Sequence, residues 1–199
     1  MQPYGPSSAL LVVDVQNDFA DPAGSLSVAG GADVVAILNR EIARARAAGS
    51  LVVYTQDWHP PVTPHFARDG GVWPVHCVAG SWGAELHPRL VVDGPTVRKG
   101  ANGEDGYSGF TMRDPTSGQE LPTELDELLR ANHVERVVVG GLATDYCVRA
   151  TALDATRLGY ATSLLADGIR PVDLAPGDGD RAMTEMMDAG VAIVRESER

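Results

Sequence analysis

Cys147 follows three valines and a pair of glycines, in the segment 137–147 (VVVGGLATDYC). The valines favour a strand covered on both faces, the glycines permit backbone angles closed to other residues, and Thr144 or Asp145 is expected to cap the next helix. Cys147 would then lie in the first turn of that helix, where unpaired N–H groups and the helix dipole favour a thiolate. From this position alone, Cys147 is either a nucleophile or an inert thiol, since free cysteine is often a small core residue.

Two charged side chains also stand at the ends of predicted strands. Asp14 follows the apolar run 9–13 (ALLVV), and Lys99 ends the short strand 96–99. Because the carboxyl ends of parallel strands meet at one edge of a sheet, Asp14, Lys99 and Cys147 are expected to converge there. Asp14 would accept the thiol proton, while Lys99 would lower the pKa of the thiol and hold the pair in place. The alternative for Asp14 and Lys99 is a buried ion pair without a catalytic role.

Three of the five histidines lie in the irregular segment 58–83, directly after the strand-end carboxylate Asp57. They are His59, His65 and His76. Neutral imidazoles with one carboxylate suit Zn, Fe(II) or Mn, and an Asp-x-His spacing on an extended segment lets both side chains turn toward one ion. A single loop histidine is usually a surface residue, but three beside an aspartate favour a divalent metal site. His87 and His133 have no ligand-like neighbours and are interpreted as structural.

The elements that must position these residues alternate along the chain. Strands or strand pieces are predicted at 9–13, 51–55, 91–92, 96–99, 134–140, 161–166 and 191–194, and helices at 32–48, 121–132, 145–158 and 178–189. This alternation indicates a three-layer α/β/α sandwich with a mainly parallel, Rossmann-like sheet of six strands, in one domain over residues 1–199. The second irregular segment, 100–118, is expected either to close over the site or to fill a subunit interface.

The composition of the 199 residues is that of a soluble globular protein. Hydrophobic residues make up 44% of the chain and charged residues 22%, and the formal net charge is -11. This acidic balance argues against nucleic acid or an anionic membrane as partner, since both require a basic patch. We find no signal peptide and no run of membrane-spanning length, so a cytoplasmic location is expected. With only Cys77 and Cys147, no disulfide framework is expected.

These motifs, in this order, resemble those of nicotinamidases in the isochorismatase-like cysteine hydrolase superfamily. The matching segments cover nearly the whole chain: 11–19 (LVVDVQNDF), 55–60 (TQDWHP), 73–77 (WPVHC), 99–100 (KG) and 140–148 (GGLATDYCV). The resemblance implies that Asp14, Lys99 and Cys147 form a catalytic triad. It also implies a cis peptide bond before Ala143, which aims the N–H groups of Ala143 and Cys147 into an oxyanion hole.

The same resemblance implies a metal site and a substrate pocket. Three residues match the metal ligands of the family, namely Asp57, His59 and His76, whereas His65 matches a ligand that only some members use. Phe19 and Trp73 match residues that sandwich a pyridine ring, although aromatic residues more often pack in a core. Cys77, beside His76, is interpreted as a packing residue or an outer partner of the metal site.

The reaction implied is the hydrolysis of nicotinamide to nicotinate and ammonia, a step of NAD salvage, through a cysteine thioester. One divalent metal ion, with Zn expected first and Fe or Mn as alternatives, would bind the ring nitrogen. A small-molecule amide is thus the expected partner, and a homo-oligomer is compatible with such a domain. The alternatives are a related metal-free cysteine hydrolase that acts on another small amide or on isochorismate, and a catalytically silent metal-binding member of the fold.

Overall fold

One sheet of six parallel strands organises residues 4–195, the part of the chain that the computed structural model describes. The strands in this range are β1 (Ser8–Val13), β2 (Leu51–Asp57), β3 (Thr96–Lys99), β4 (Thr111–Arg113), β5 (Glu120–Pro122), β6 (Arg136–Leu142), β7 (Ala161–Arg170) and β8 (Ala192–Val194). The sheet has the order β3-β2-β1-β6-β7-β8, and each neighbouring pair in it is parallel. The predicted six-stranded parallel sheet is confirmed.

Helices cover both faces of this sheet. They are α1 (Asn17–Ala20), α2 (Asp33–Ala47), α3 (Leu125–Ala131), α4 (Arg149–Arg157) and α5 (Asp178–Asp188). Successive residues of a strand point to opposite faces, and Leu10 and Val12 of β1 pack with α2. Leu11 and Val13 pack on the other face, in the cluster that contains residues of α3 and α4. Full burial of each such side chain contributes about 1.5–3 kcal/mol, so the three-layer sandwich follows from strands that are apolar on both faces.

The α2 helix illustrates how an apolar stripe selects its buried face. Val34, Leu38 and Ile42 recur at a spacing of four residues, and all three are buried against the sheet. Gly49 lies just beyond the helix with a φ of 76°, a left-handed conformation that glycine adopts without steric cost. None of the helices in residues 4–195 combines the length and the apolar character that crossing a bilayer requires.

Two predicted elements around the third strand are wrong. Residues 91–92 are not a strand: Val91 and Val92 are 44% and 46% exposed, and the chain there runs without ladder pairing before Pro95. The helix predicted at 121–132 begins only at Leu125, because residues 120–122 pair antiparallel with β4 instead. Pro122 thus ends a short strand, where its missing N–H costs little.

Two further elements differ in length or type. The helix predicted at 145–158 consists of a π-helical turn (Thr144–Val148) followed by α4. The strand predicted at 161–166 continues to Arg170, because β7 shifts register against β6 between Val139 and Gly141 and then resumes pairing. Both changes occur beside Cys147, where the chain leaves the sheet.

Candidate active site

Lys99, Asp14 and Cys147 meet at the carboxyl edge of the sheet. Lys99 is the last residue of β3 and Asp14 directly follows β1. Lys99 Nζ lies 2.9 Å from Asp14 Oδ2 and 3.6 Å from Cys147 Sγ. All three side chains are buried. The strand-end positions read from the sequence therefore converge as expected.

Cys147 lies on the π-helical turn that follows β6. The peptide bond between Leu142 and Ala143 is cis, as the resemblance implied. Gly141 has a φ of 127°, and a Cβ there would collide with the carbonyl oxygen of Val13 on the neighbouring strand. Only glycine therefore lets β6 run this close to β1 and turn outward immediately afterwards.

The capping role predicted for Thr144 or Asp145 is wrong. Ala143 occupies the N-cap position without a side-chain hydrogen bond, and the Thr144 hydroxyl has no hydrogen-bond partner within the described residues. The Asp145 carboxylate instead accepts hydrogen bonds from the backbone N–H groups of Val172 and Asp173, each at 2.9 Å. Asp145 thereby ties the cysteine turn to the segment after β7.

The neighbours of Asp14 fix its position and set the pKa of its carboxyl group. The Thr55 hydroxyl donates to Asp14 Oδ1 at 2.5 Å and accepts the Asp14 backbone N–H at 3.2 Å. Burial raises the pKa of the Asp14 carboxyl, and Lys99 and Thr55 offset only part of that shift. A carboxylate with a raised pKa is a stronger base than an ordinary aspartate.

The thiolate predicted for resting Cys147 is not favoured. Burial raises the pKa of the Cys147 thiol well above its ordinary value, and the nearby carboxylates add to the rise. Lys99 lowers the pKa, as expected, but does not outweigh burial. The nucleophile is consequently a thiol that must lose its proton during the reaction, which gives the neighbouring base a defined task.

Asp57 lies between these residues and the histidines. Its Oδ1 forms an ion pair with Lys99 Nζ, whereas its Oδ2 lies 3.9 Å from His59 Nε2 and 4.0 Å from His76 Nε2. Burial by itself would raise the pKa of Asp57, but Lys99 and the two imidazoles together lower it to about 2. Gln16 fixes the Asp57 backbone from both sides, since its side-chain amide accepts the Asp57 N–H at 2.8 Å and donates to the Asp57 carbonyl at 2.7 Å.

The three predicted histidine ligands form one buried cluster. One ring nitrogen of each of His59, His65 and His76 lies within 4.8 Å of those of the other two. His76 Nδ1 donates to the Pro74 carbonyl at 2.7 Å, and His65 Nδ1 pairs with Asp105 Oδ1 at 2.6 Å. Each of these contacts leaves the Nε2 lone pair of the ring for another partner.

The donor set of this cluster fits a divalent metal ion. Burial lowers the pKa of His59 to about 4 and also lowers that of His76, so both rings are neutral donors at pH 7. Both ring nitrogens of His59 are buried and have no hydrogen-bond partner within residues 4–195. Buried polar atoms are rarely left unpaired, and converging neutral imidazoles beside an ionised carboxylate are the usual environment of zinc. His87 is engaged differently, since its Nδ1 accepts the Arg89 N–H at 3.3 Å.

A pocket beside Cys147 is also lined by members of the histidine cluster. Asp57, His65, His76, Ala143 and Cys147 all line this pocket. Its remaining wall is mainly aromatic and apolar: Phe19, Trp73, Tyr107, Tyr146, Leu26 and Val172. This lining suits a small aromatic molecule that carries polar groups.

Comparison with known proteins agrees with this geometry. Residues 8–199 match the family model of the isochorismatase domain. The chain belongs to that family. It is 39% identical to a nicotinamidase of Escherichia coli (strain K12), with 94% of each chain covered.

Solved structures resemble this member of the isochorismatase family closely. A crystal structure of pyrazinamidase of Pyrococcus horikoshii in complex with zinc has a TM-score of 0.84 and 40% identity, over 96% of this chain and 99% of that one. A crystal structure of PnC1 from L. infantum in complex with nicotinate has a TM-score of 0.87 and 35% identity, over 98% of this chain and 96% of that one.

Several pocket residues lie outside the segments that carry the family resemblance. Tyr107 is one of them: its hydroxyl accepts a hydrogen bond from Trp73 Nε1 at 2.9 Å. Tyr146, which lies inside the matched segment 140–148, meets the Trp73 ring edge to face, with centroids 4.9 Å apart. Tyr107 belongs to the segment 100–118, so that segment contributes to the lining of the pocket. In the sequence, an aromatic residue in a glycine-bearing loop is the one sign that Tyr107 contributes to a pocket.

Proposed function

We propose that the protein hydrolyses nicotinamide to nicotinate and ammonia through a thioester on Cys147. The observation that carries this proposal is that one pocket is lined both by Cys147 and by members of a histidine cluster that could hold a metal ion. A pyridine carboxamide has a matching pair of groups, a ring nitrogen on one side and a carboxamide on the other. The nicotinamidase and pyrazinamidase relatives support the same substrate class.

In the first half of the reaction, Cys147 Sγ attacks the carboxamide carbon while Asp14 takes the thiol proton. The carbon–nitrogen bond then breaks, and Asp14 delivers that proton to the leaving amine, which departs as ammonia. Lys99 keeps Asp14 in position, since its ammonium group lies 2.9 Å from the Asp14 carboxylate. The Cys147 thiol has a raised pKa and so needs a base to remove its proton. Asp14, whose pKa is also raised, is a suitable base.

The N–H groups of Ala143 and Cys147 are the proposed donors to the oxyanion. Both residues line the pocket, and the cis peptide bond before Ala143 begins the turn that carries Cys147. A donor of this kind typically contributes about 3 kcal/mol to catalysis. In the second half of the reaction, water attacks the thioester carbon, and Asp14 accepts its proton and returns it to the departing sulfur.

The proposed metal ligands are His59, His65, His76 and Asp57. Zinc is the first expectation, because the donors are neutral imidazoles with one carboxylate, while iron and manganese accept the same set. When bound, the ion would supply a Lewis-acid contact to the ring nitrogen of the substrate. The chain orients the ring by other means as well, since Phe19 and Trp73 lie on the pocket wall and are proposed to flank it.

This function is tested by ammonia release from nicotinamide, pyrazinamide and an N-carbamoyl amino acid, with release of pyruvate measured for isochorismate. We expect release from the first two only. Cys147→Ala should abolish release without unfolding the protein, whereas Cys77→Ala, which alters the other buried cysteine, should keep it. Full activity of Cys147→Ala would refute the nucleophile, and release from the N-carbamoyl compound alone would favour the metal-free relatives.

The metal assignment has its own measurement. Elemental analysis of the purified protein should find one divalent ion per chain, and His59→Ala should lose it. Unchanged metal content in that variant would refute the ligand set. The single-domain organisation and a homo-oligomeric state stay predictions from the sequence.

A further inference from the structure

Asp105 makes a contact with the histidine cluster that sequence patterns do not anticipate. Its Oδ1 lies 2.6 Å from His65 Nδ1, although the two residues are 40 positions apart. An ionised carboxylate only accepts hydrogen bonds, so Nδ1 carries the proton and the lone pair of His65 is on Nε2. The contact therefore selects the tautomer in which Nε2 can bind a metal ion.

The backbone of Asp105 is fixed independently of His65. Its N–H donates to the Arg113 carbonyl at 2.8 Å, and the Arg113 N–H donates to the Asp105 carbonyl at 2.5 Å. Asp105 Oδ1 also accepts the Gly106 N–H at 2.9 Å. The Asp105 backbone is thus held beside the last residue of β4 by contacts that do not involve His65.

The three histidines differ in the partner of their Nδ1 atom. His76 Nδ1 pairs with a neutral carbonyl, that of Pro74, and His59 has no hydrogen-bond partner at either nitrogen within residues 4–195. His65 pairs with a charged group. A carboxylate partner raises the basicity of the opposite nitrogen and fixes the ring orientation, and loss of such a partner usually costs about 10- to 100-fold in metal affinity.

We propose that Asp105 is a positioning residue that makes His65 a full ligand of the metal ion. This inference rests on the proposed function, since it takes the histidine cluster as the metal site. It assigns a role to part of the segment 100–118, which holds an imidazole in place through Asp105 and lines the pocket through Tyr107. His65, the ligand that the sequence supported least, then binds as firmly as its neighbours.

The size of the effect follows from the exposure of the pair. The Asp105 side chain is 47% exposed, whereas that of His65 is 5% exposed. Water therefore screens the carboxylate from one side, and the loss on substitution should fall near the lower end of the range, about tenfold.

Zinc affinity, measured by competition with a chromophoric chelator on metal-free protein, tests the proposal without any turnover. Asp105→Asn should bind zinc about tenfold more weakly than the wild type. Glu104→Gln is the matched control, because it removes the same charge at the adjacent position, where the carboxylate bonds to Asn102 instead of a histidine. That control should bind zinc like the wild type.

A double-mutant cycle with His65→Ala separates positioning from a general effect of charge. His65→Ala should weaken zinc binding by itself, and adding Asp105→Asn to it should cause no further loss. Wild-type affinity in Asp105→Asn would overturn the inference while leaving the metal site in place, and so would an equal loss in the two backgrounds. Failure of the wild-type protein to bind zinc would overturn both this inference and the metal assignment of the proposed function.

Discussion

Thr55→Val removes one hydroxyl group that makes two contacts with the proposed base. Thr55 is fully buried on β2, and its hydroxyl donates to Asp14 Oδ1 at 2.5 Å and accepts the Asp14 N–H at 3.2 Å. Valine has nearly the same shape, so the packing around the site is retained. The substitution thus changes the environment of Asp14 while leaving Lys99 and Cys147 untouched.

The expected size of this effect comes from the charge of the acceptor. A hydrogen bond to a charged group contributes about 1.5–3 kcal/mol, and each 1.36 kcal/mol corresponds to a factor of ten, so at pH values below the acid limb kcat/KM should fall about ten- to hundredfold. The Thr55 hydroxyl stabilises the ionised carboxylate and so opposes the rise that burial causes in the pKa of Asp14. Its removal raises that pKa further. Because the base must be ionised to act, the acid limb of the kcat/KM profile should move to higher pH, and the loss should shrink above that limb.

The assay is ammonia release from nicotinamide over a range of pH, with Thr55→Ser as the matched control. Serine keeps the hydroxyl group and should keep the acid limb of the wild type. An unshifted acid limb in Thr55→Val would refute the role of Asp14 as the base. A loss of equal size at every pH would also refute it, since that result indicates a general distortion of the site.

Three further substitutions test separate parts of the site. Gly100→Ala adds a Cβ 2.7 Å from His59 Nδ1 at a left-handed position, so it should lower the free energy of unfolding by about 1–3 kcal/mol in urea denaturation and weaken zinc binding. Trp73→Phe removes the indole donor to the Tyr107 hydroxyl, and steady-state kinetics should show KM for nicotinamide about three- to tenfold higher with little change in kcat. Asp145→Asn weakens two hydrogen bonds to the segment after β7 and should lower the free energy of unfolding by about 1.5–3 kcal/mol, again by urea denaturation.

The sequence predicted the sheet and the positions of the charged strand ends because both depend on local patterns. A continuous apolar run followed by a carboxylate, as in 9–14, has few alternatives to a buried strand that delivers Asp14 to the sheet edge. In the same way, the run of valines before the glycine pair predicts a buried strand, β6, and places Cys147 on the turn that follows it. Parallel pairing then places such residues together, whatever their separation in sequence.

The wrong predictions concern residues whose local sequence suggests one interaction but which instead contact residues distant in sequence. Pro122 suits the first turn of a helix, but residues 120–122 pair with a strand that no local pattern marks. Asp145 has the chemistry of a cap, yet two N–H groups beyond β7 bind its carboxylate. In the sequence, Asp105 is only a polar residue in an irregular loop, whereas in the structure it contacts His65. The pKa of Cys147 depends on how deeply its turn is buried, which motif spacing does not encode.

Asp57 makes the metal site and the nucleophile parts of one electrostatic unit. One of its oxygens pairs with Lys99, and the other faces the histidine cluster. Asp14, Asp57 and Lys99 together leave a net negative charge beside Cys147, and this charge opposes formation of a thiolate. Transfer of the thiol proton to Asp14 removes one negative charge from the cluster as the sulfur gains one. The same buried negative charge is what the neutral imidazoles need beside them to hold a cation, so the Asp57 carboxylate, which adds to the rise that burial causes in the pKa of the Cys147 thiol, also favours metal binding.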